Sequence, residues 1–193
     1  MKRGVLVLSM VGIALGAFAL GRAGAQEGPE NSMEAWLKLG EPGAQHADLM
    51  KNAGTWTIDA KNWMAPGAEP TRSKGKAVLT ALFDGRYLRQ EFEGDFMGTP
   101  VRGVGITGFN NATGKYEDTW IDSVSTCTVH TTGTQTAPGV WEFSGACAGP
   151  GGTEMKMRTI FKRVSLDQLF VESFCDEGSG ERKCCEATYT RAK

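Results

Sequence analysis

Thr153-Glu154-Met155-Lys156-Met157-Arg158-Thr159-Ile160-Phe161-Lys162-Arg163-Val164 alternates almost residue by residue. Thr153, Met155, Met157, Thr159 and Phe161 fall on one face, and Glu154, Lys156, Arg158 and Lys162 on the other. Successive side chains of a strand point to opposite faces, so a period of two marks a strand with one covered and one wetted side. The same period recurs on both sides of this stretch. Toward the N-terminus it covers Val140–Ala148, Val124–Thr132, Lys115–Asp122, Val101–Phe109, Arg86–Gly94, Thr71–Phe83 and Thr55–Met64. Toward the C-terminus it covers Gln168–Cys175 and Lys183–Arg191. Turn residues separate the runs, among them Asp84-Gly85, Gly98-Thr99-Pro100 and Asn110-Asn111-Ala112-Thr113-Gly114.

No connection is long enough for a crossover helix, so neighbouring strands must run antiparallel. A sheet of this many strands curls, and closure removes its exposed edges. The fold class is therefore all-β: an antiparallel up-and-down barrel of about ten strands with one or two short N-terminal helices. Ser32 can cap the first helix, whose apolar side is Met33, Trp36, Leu37 and Leu39. Pro42-Gly43 breaks it, and a second helix can run from Ala44 to Lys51.

The N-terminus reads as an address. Lys2 and Arg3 precede an apolar run, Val5–Leu20, that is shorter than the ~20 residues needed to span a bilayer. The run ends at Ala23-Gly24-Ala25, a small-residue pattern of the kind signal peptidase cleaves. The organisation is a cleavable signal peptide over 1–25, a polar leader and short helices packing on the barrel over 26–54, and the barrel over 55–193. No Arg-Arg pair marks the run and no Cys follows the cleavage site, so general secretory export to the periplasm or medium is expected, without a membrane anchor. Cleavage removes Lys2, Arg3 and Arg22 and no acid, which makes the mature chain more acidic than the formal −1 of the whole. A mildly acidic domain has no electrostatic basis for holding nucleic acid or anionic lipid.

Inner-face residues nominate a ligand cavity. Gly103 and Gly105 withhold side-chain volume, Met155, Met157 and Phe161 supply deformable apolar lining, and Tyr116, Trp120 and Asp122 can orient a ligand. Gly103 and Gly105 are equally compatible with a tightly bent wall, and the face of Tyr116, Asp118, Trp120 and Asp122 equally with the barrel exterior. The same residues can equally fill a solid core. Asp118 and Asp122 share a face and nominate a hydrolase or isomerase as the competing class. A scaffold or partner-binding barrel with a filled core is the third.

Five cysteines, 127, 147, 175, 184 and 185, lie in the last five strand runs. An oxidising compartment permits disulfides, and hairpin symmetry about Ala137 places Cys127 opposite Cys147. Cys175 faces Cys184 or Cys185 across the next hairpin, leaving one spare thiol. Adjacent Cys184-Cys185 lacks zinc spacing, so no metal site is assigned. His46 and His130 are the only histidines, and no nucleophile elbow, zinc-protease helix or phosphate loop is present. No cofactor is assigned, and the reading favours a binding protein over an enzyme.

Several segments together resemble a known family. They are Met33–Leu39, Gly54-Thr55-Trp56, Gly85-Arg86-Tyr87-Leu88, Gly103-Val104-Gly105-Ile106-Thr107-Gly108-Phe109-Asn110-Asn111, Thr119-Trp120-Ile121-Asp122-Ser123 and Thr188-Tyr189-Thr190-Arg191. The chain resembles the bacterial domain-of-unknown-function family 1579 over essentially its whole mature length. That resemblance implies a lipocalin-like, calycin-type barrel and no established reaction. It further implies that Trp56 closes one barrel end beneath Arg191. A small, partly apolar ligand is the expected partner.

Overall fold

The computed structural model describes residues 32–96 and 98–193. The signal-peptide reading over 1–25 lies outside the described residues. Helix α1 (Met33–Leu39) is capped by Ser32, whose Oγ accepts the Ala35 N–H at 3.2 Å, and it contains no buried residue. Helix α2 (Ala44–Met50) follows Gly43, whose N–H donates to His46 Nδ1 at 3.0 Å.

Ten antiparallel strands then close into a barrel: β1 (Gly54–Asn62), β2 (Thr71–Leu82), β3 (Tyr87–Phe96), β4 (Thr99–Asn110), β5 (Lys115–Asp122), β6 (Val129–Ala137), β7 (Val140–Ala148), β8 (Glu154–Ser165), β9 (Gln168–Asp176) and β10 (Arg182–Arg191). Each strand pairs with its neighbours in sequence, and β1 closes on β10 through Trp56↔Arg191, Ile58↔Tyr189 and Ala60↔Ala187. The fold class read from the alternation is the fold observed.

One strand differs from the sequence reading. Alternation puts the sixth at Val124–Thr132, whereas it lies at Val129–Ala137. Side chains explain the shift. Asp122 Oδ1 accepts the Val124 N–H at 3.0 Å and Ser125 Oγ accepts the Cys127 N–H at 2.9 Å, so local turns claim the backbone groups that a strand would need. The β6–β7 turn consequently sits on Pro138-Gly139, with Gly139 at φ +74°, and the ladder runs His130↔Ala146 and Gly133↔Phe143.

The two barrel ends are built differently. Helix α2 and the short turns after β2, β4, β6 and β8 close one end. There Leu49, Trp56, Ile58, Ala77, Leu79, Leu88, Leu169 and Ala187 form the buried core. Arg163 ties the helix down, donating to the Asp48 carboxylate at 2.6 Å, to Asp48 O at 2.9 Å and to Asn52 Oδ1 at 3.2 Å. The connections after β1, β3, β5, β7 and β9 gather at the opposite end, which α2 does not cover. Outside, an ion-pair ladder joins Lys61, Glu186, Lys183, Glu172 and Lys162 across β1, β10, β9 and β8.

Candidate functional site

Burial along the inner face changes abruptly from one end to the other. Toward α2 the interior is dry, with Trp56 fully buried and Trp141 and Leu169 1% exposed. Tyr116 belongs to this half. It is 2% exposed, packs edge-on against Phe109, Trp141 and Phe143, and its Oη has no hydrogen-bond partner. Beyond these rings, inner-face Gln90, Phe92, Thr107, Asp118, Trp120, Thr159, Phe161, Val171, Ser173, Cys185 and Tyr189 all retain partial exposure. Strand register points them inward, yet they keep surface accessible to solvent.

Glycines explain how the wall stays thin here. A side chain at Gly103 would collide with the Trp120 indole, and one at Gly105 would press on it. Gly75 and Gly94 make the same room for the Phe92 ring. Aromatic rings thus lie flat on the wall and do not project across the barrel. The sequence reading makes Gly103 and Gly105 direct contributors of ligand volume, and the structure corrects that: Trp120 takes the space they leave.

The accessible half carries a set of polar groups that are neutral or reluctant to ionise. Gln90 Nε2 on β3 donates to Tyr189 Oη on β10 at 3.4 Å, passing over β2 and β1. Burial pushes the Tyr189 phenol up to about 12, against the opposing effect of the Gln90 hydrogen bond. Thr107 Oγ1 donates to Asp118 Oδ1 at 2.5 Å between paired positions of β4 and β5. Burial holds the Asp118 carboxyl above the ordinary carboxylate range, and the Thr107 hydrogen bond only partly offsets it. Burial, with the nearby Glu186 charge, also pushes the Cys185 thiol up to about 11. Thr159 and Ser173 share a hydrogen bond of 3.1 Å on the opposite wall. Each of these polar groups occupies an inward phase of its alternation. Beyond Asp118 and Cys185, sequence reasoning passes over them, because an inward Thr, Gln or Tyr has no motif.

The structure does not bring Asp118 and Asp122 together. They lie four strand residues apart, roughly 13 Å along β5, with Trp120 between them. The paired carboxylates of glycoside hydrolases sit about 5–10 Å apart, and a dyad sharing one proton sits about 3 Å apart. Asp122 is instead engaged by Trp120 Nε1 at 3.0 Å and by the Val124 N–H.

A raised Asp118 has a consequence for stability. The folded protein holds this proton more tightly than the unfolded chain, whose value is 3.8. The associated stability is full below that value and is lost as pH rises through the folded-state value. Asp118→Asn is therefore expected to raise the thermal midpoint at pH 8 and to leave it unchanged at pH 3. Thermal scans across that range check the sign, and a mutant less stable at pH 8 would contradict it.

Met155 pairs with Cys147 near the open end, and Met157 Sδ lies 3.7 Å from Cys147 Sγ. Phe161 packs against Trp141 with ring centroids 5.7 Å apart. At the closed end the Arg191 guanidinium lies 4.3 Å above the centroid of the Trp56 ring. Cys175 bonds to Cys184 with Cα atoms 6.0 Å apart, while Cys127, Cys147 and Cys185 are free. A bulge between Lys183 and Cys185 lifts Cys184 out of the ladder toward Cys175, which decides between the two neighbours. The Cys127–Cys147 bridge read from hairpin symmetry is not formed in the structure, because the ladder ends before Cys127.

The family model described as "Protein of unknown function (DUF1579)" matches residues 41–191. The chain belongs to that family. The matched span takes in α2, all ten barrel strands and both barrel ends, so this DUF1579 domain is the barrel itself. No curated protein matches it. Among solved structures, the DUF1579 barrel is similar to an S-type phycobiliprotein lyase, CPES, from Guillardia theta. The TM-score is 0.55 at 11% identity, over 84% of this chain and 98% of that one. It also matches a redesigned β-barrel, with TM-score 0.41 at 15% identity, covering 74% of this chain and 93% of that one. The likeness to the lyase is one of fold. No helix among the described residues is long and apolar enough to cross a membrane.

Proposed function

We propose that this DUF1579 barrel binds one small, partly apolar molecule, admitted from the end that α2 leaves uncovered, in a protein exported by a bacterium. The observation that carries the reading is the change in burial along the inner face, dry beside α2 and partly accessible from Gln90 and Asp118 to Ser173. Side chains that fill a core touch neighbours on every side, and side chains around a void keep accessible surface. The lining of Phe92, Trp120, Phe161 and Val171 is apolar, and the Tyr189 and Cys185 hydrogens are held by groups reluctant to ionise. Such a lining favours a neutral molecule with a few hydrogen-bonding atoms over an ion. The barrel shared with a phycobiliprotein lyase is in keeping with a small ligand. Export is supported by the N-terminal signal pattern and by the Cys175–Cys184 bond.

Titration with a neutral apolar fluorophore, N-phenyl-1-naphthylamine, tests the reading. Saturable one-to-one binding is expected at about micromolar affinity, near −8 kcal/mol. Thr159→Trp places an indole in the accessible half and is expected to weaken binding by about tenfold or more, roughly 1.4 kcal/mol. An outward substitution, Val164→Thr, leaves it unchanged. A well-folded protein that shows no saturable binding across fatty acids, isoprenoids and aromatic probes would overturn the reading in favour of a filled scaffold.

A further inference from the structure

Two groups in the accessible half keep a proton to give. Tyr189 Oη accepts from Gln90 Nε2 at 3.4 Å and donates to no group among the described residues. The Gln90 bond holds the phenol across the barrel and occupies its oxygen as an acceptor, which leaves the O–H for the interior. Asp118 Oδ1 accepts from Thr107 Oγ1 at 2.5 Å, and Oδ2 has no partner among the described residues. Nor does Asp118 enter an ion pair. The cations at the closed end are engaged there, Arg163 by Asp48 and Arg191 by Asp167 and the backbone. A buried carboxyl without a cation holds its proton above the ordinary range, and a neutral acid donates through one oxygen.

Register brings the two donors to one corner of the barrel. Gln90 pairs with Gly105, Thr107 is the next inward residue of β4, and Thr107 pairs with Asp118. The Gln90–Tyr189 bond therefore lies one inward step, roughly 7 Å along the strand, from the Thr107–Asp118 bond. Gly105 puts no side chain between them. Trp120 also stays clear, because its ring runs from Gly105 to Gly103 and its Nε1 donates to Asp122 Oδ2 at 3.0 Å, toward the mouth. Burial first, then Cys185 and Asp118, push the Tyr189 phenol up, as close neighbours of a phenol do. From this corner toward the mouth the wall is flat and apolar, with the Phe92 and Trp120 ring centroids 6.2 Å apart. Phe161 and Val171 stand on β8 and β9, across the barrel from β3 and β4.

We propose that Tyr189 and Asp118 form a two-donor seat for a single carbonyl oxygen, and that the ligand is a flat, apolar ketone, aldehyde or quinone. Its ring system runs from that seat along Trp120 and Phe92 toward the mouth. The seat presupposes the binding function proposed above and names its ligand class. A carbonyl oxygen has two lone pairs and no proton, so it satisfies two O–H donors at once. A hydrocarbon leaves both donors buried and unpaired, which weakens its binding. A carboxylate finds no cation there to offset its desolvation.

The mature protein is titrated at pH 6 with 2-acetylnaphthalene bearing a carbon-13 carbonyl, and with 2-isopropenylnaphthalene, which has a methylene in place of the oxygen. Difference infrared spectra of the bound ketone are expected to place its carbonyl stretch at or below its position in water and well below that in hexane. Tyr189→Phe and Asp118→Leu should each move the stretch part of the way back toward hexane. Asp118→Asn keeps a donor and should retain most of the shift. The ratio of ketone to hydrocarbon affinity is expected to fall about fivefold in each variant that loses a donor. A wild-type stretch at the hexane position would overturn the seat, and that measurement needs no variant to fold. An affinity ratio unchanged by Tyr189→Phe and Asp118→Leu, with both naphthalenes still bound one to one, would also overturn it and leave the binding function standing. Saturable binding of neither naphthalene, by protein whose circular dichroism shows it folded, would overturn the binding function and the seat with it.

Discussion

Truncating Trp56 to alanine is expected to destabilise the barrel by about 3–5 kcal/mol, read as a lower denaturant midpoint with an unchanged slope. The ring is fully buried, the pairing of β1 with β10 places it opposite Arg191, and its Nε1 donates to Asn52 O at 3.1 Å. Arg191 covers the ring and uses its remaining donors on the chain above, Nε to Leu166 O at 2.8 Å and Nη1 to Ala53 O at 2.8 Å. The guanidinium therefore joins the last strand, the β8–β9 turn and the segment that leads from α2 into β1. Its side chain stays partly exposed, so the cation–π contact itself contributes about 1–2 kcal/mol. Arg191→Lys keeps the charge and loses the planar fork, and it is expected to forfeit most of that contribution. A double-mutant cycle with Trp56→Phe isolates the pair, and a coupling indistinguishable from zero would refute the stacking role.

Asp48→Asn is expected to cost about 2–3 kcal/mol at pH 7, below the ~3–5 kcal/mol of a fully buried pair because both side chains keep some exposure. Asp48 is held by Arg163 at 2.6 Å and Lys51 at 2.9 Å, with the Arg163 side chain 11% exposed and that of Asp48 21%. Burial pushes its carboxyl up, but the hydrogen bonds and charges of Lys51 and Arg163 outweigh burial and leave it below the ordinary value of 3.8. A depressed value contributes stability that is present above the unfolded value and disappears as pH falls through the folded one. The gap between wild type and mutant should therefore be widest near neutrality and close in strong acid. The reason for the size is the second role of Arg163. It also lies 5.0 Å over the Trp141 ring and donates to Asn52, so a misplaced guanidinium loosens α2 and the aromatic cluster together. A mutant that unfolds at the wild-type midpoint at pH 7 would show that α2 is held by its apolar side alone.

Alternation in Thr153–Val164 and its neighbours was enough to settle strand number, antiparallel order and closure. A period of two calls for one covered face, and uniformly short connections favour a closed barrel over a two-sheet sandwich. The same pattern grouped the side chains of β4 and β8 by face as the register has them, since register follows the pleat, and it left open which way the Tyr116 face of β5 turns. It failed at Val124–Thr128, where Asp122 and Ser125 side chains capture backbone N–H groups that a propensity reading leaves to the sheet. That shift moved Cys127 out of the ladder and removed the symmetric bridge. The choice of Cys184 over Cys185 depends on a bulge, and a bulge leaves no mark in composition.

Only the tertiary structure tells which inward residues are dry and which stay accessible. Gly103, Gly105 and Trp120 are inward residues in the sequence, but only the packing tells that the indole fills the glycines' space. Tyr116 is inward too, yet it belongs to the dry half because α2 and the Trp141 cluster cover that end. Gln90 and Tyr189 meet across two intervening strands and 99 positions of chain, a contact that local patterning cannot encode. Periodicity is a property of neighbours in sequence and fixes which way each side chain points. Which side chains then meet across a closed barrel depends on its curvature and on the helix laid over one end.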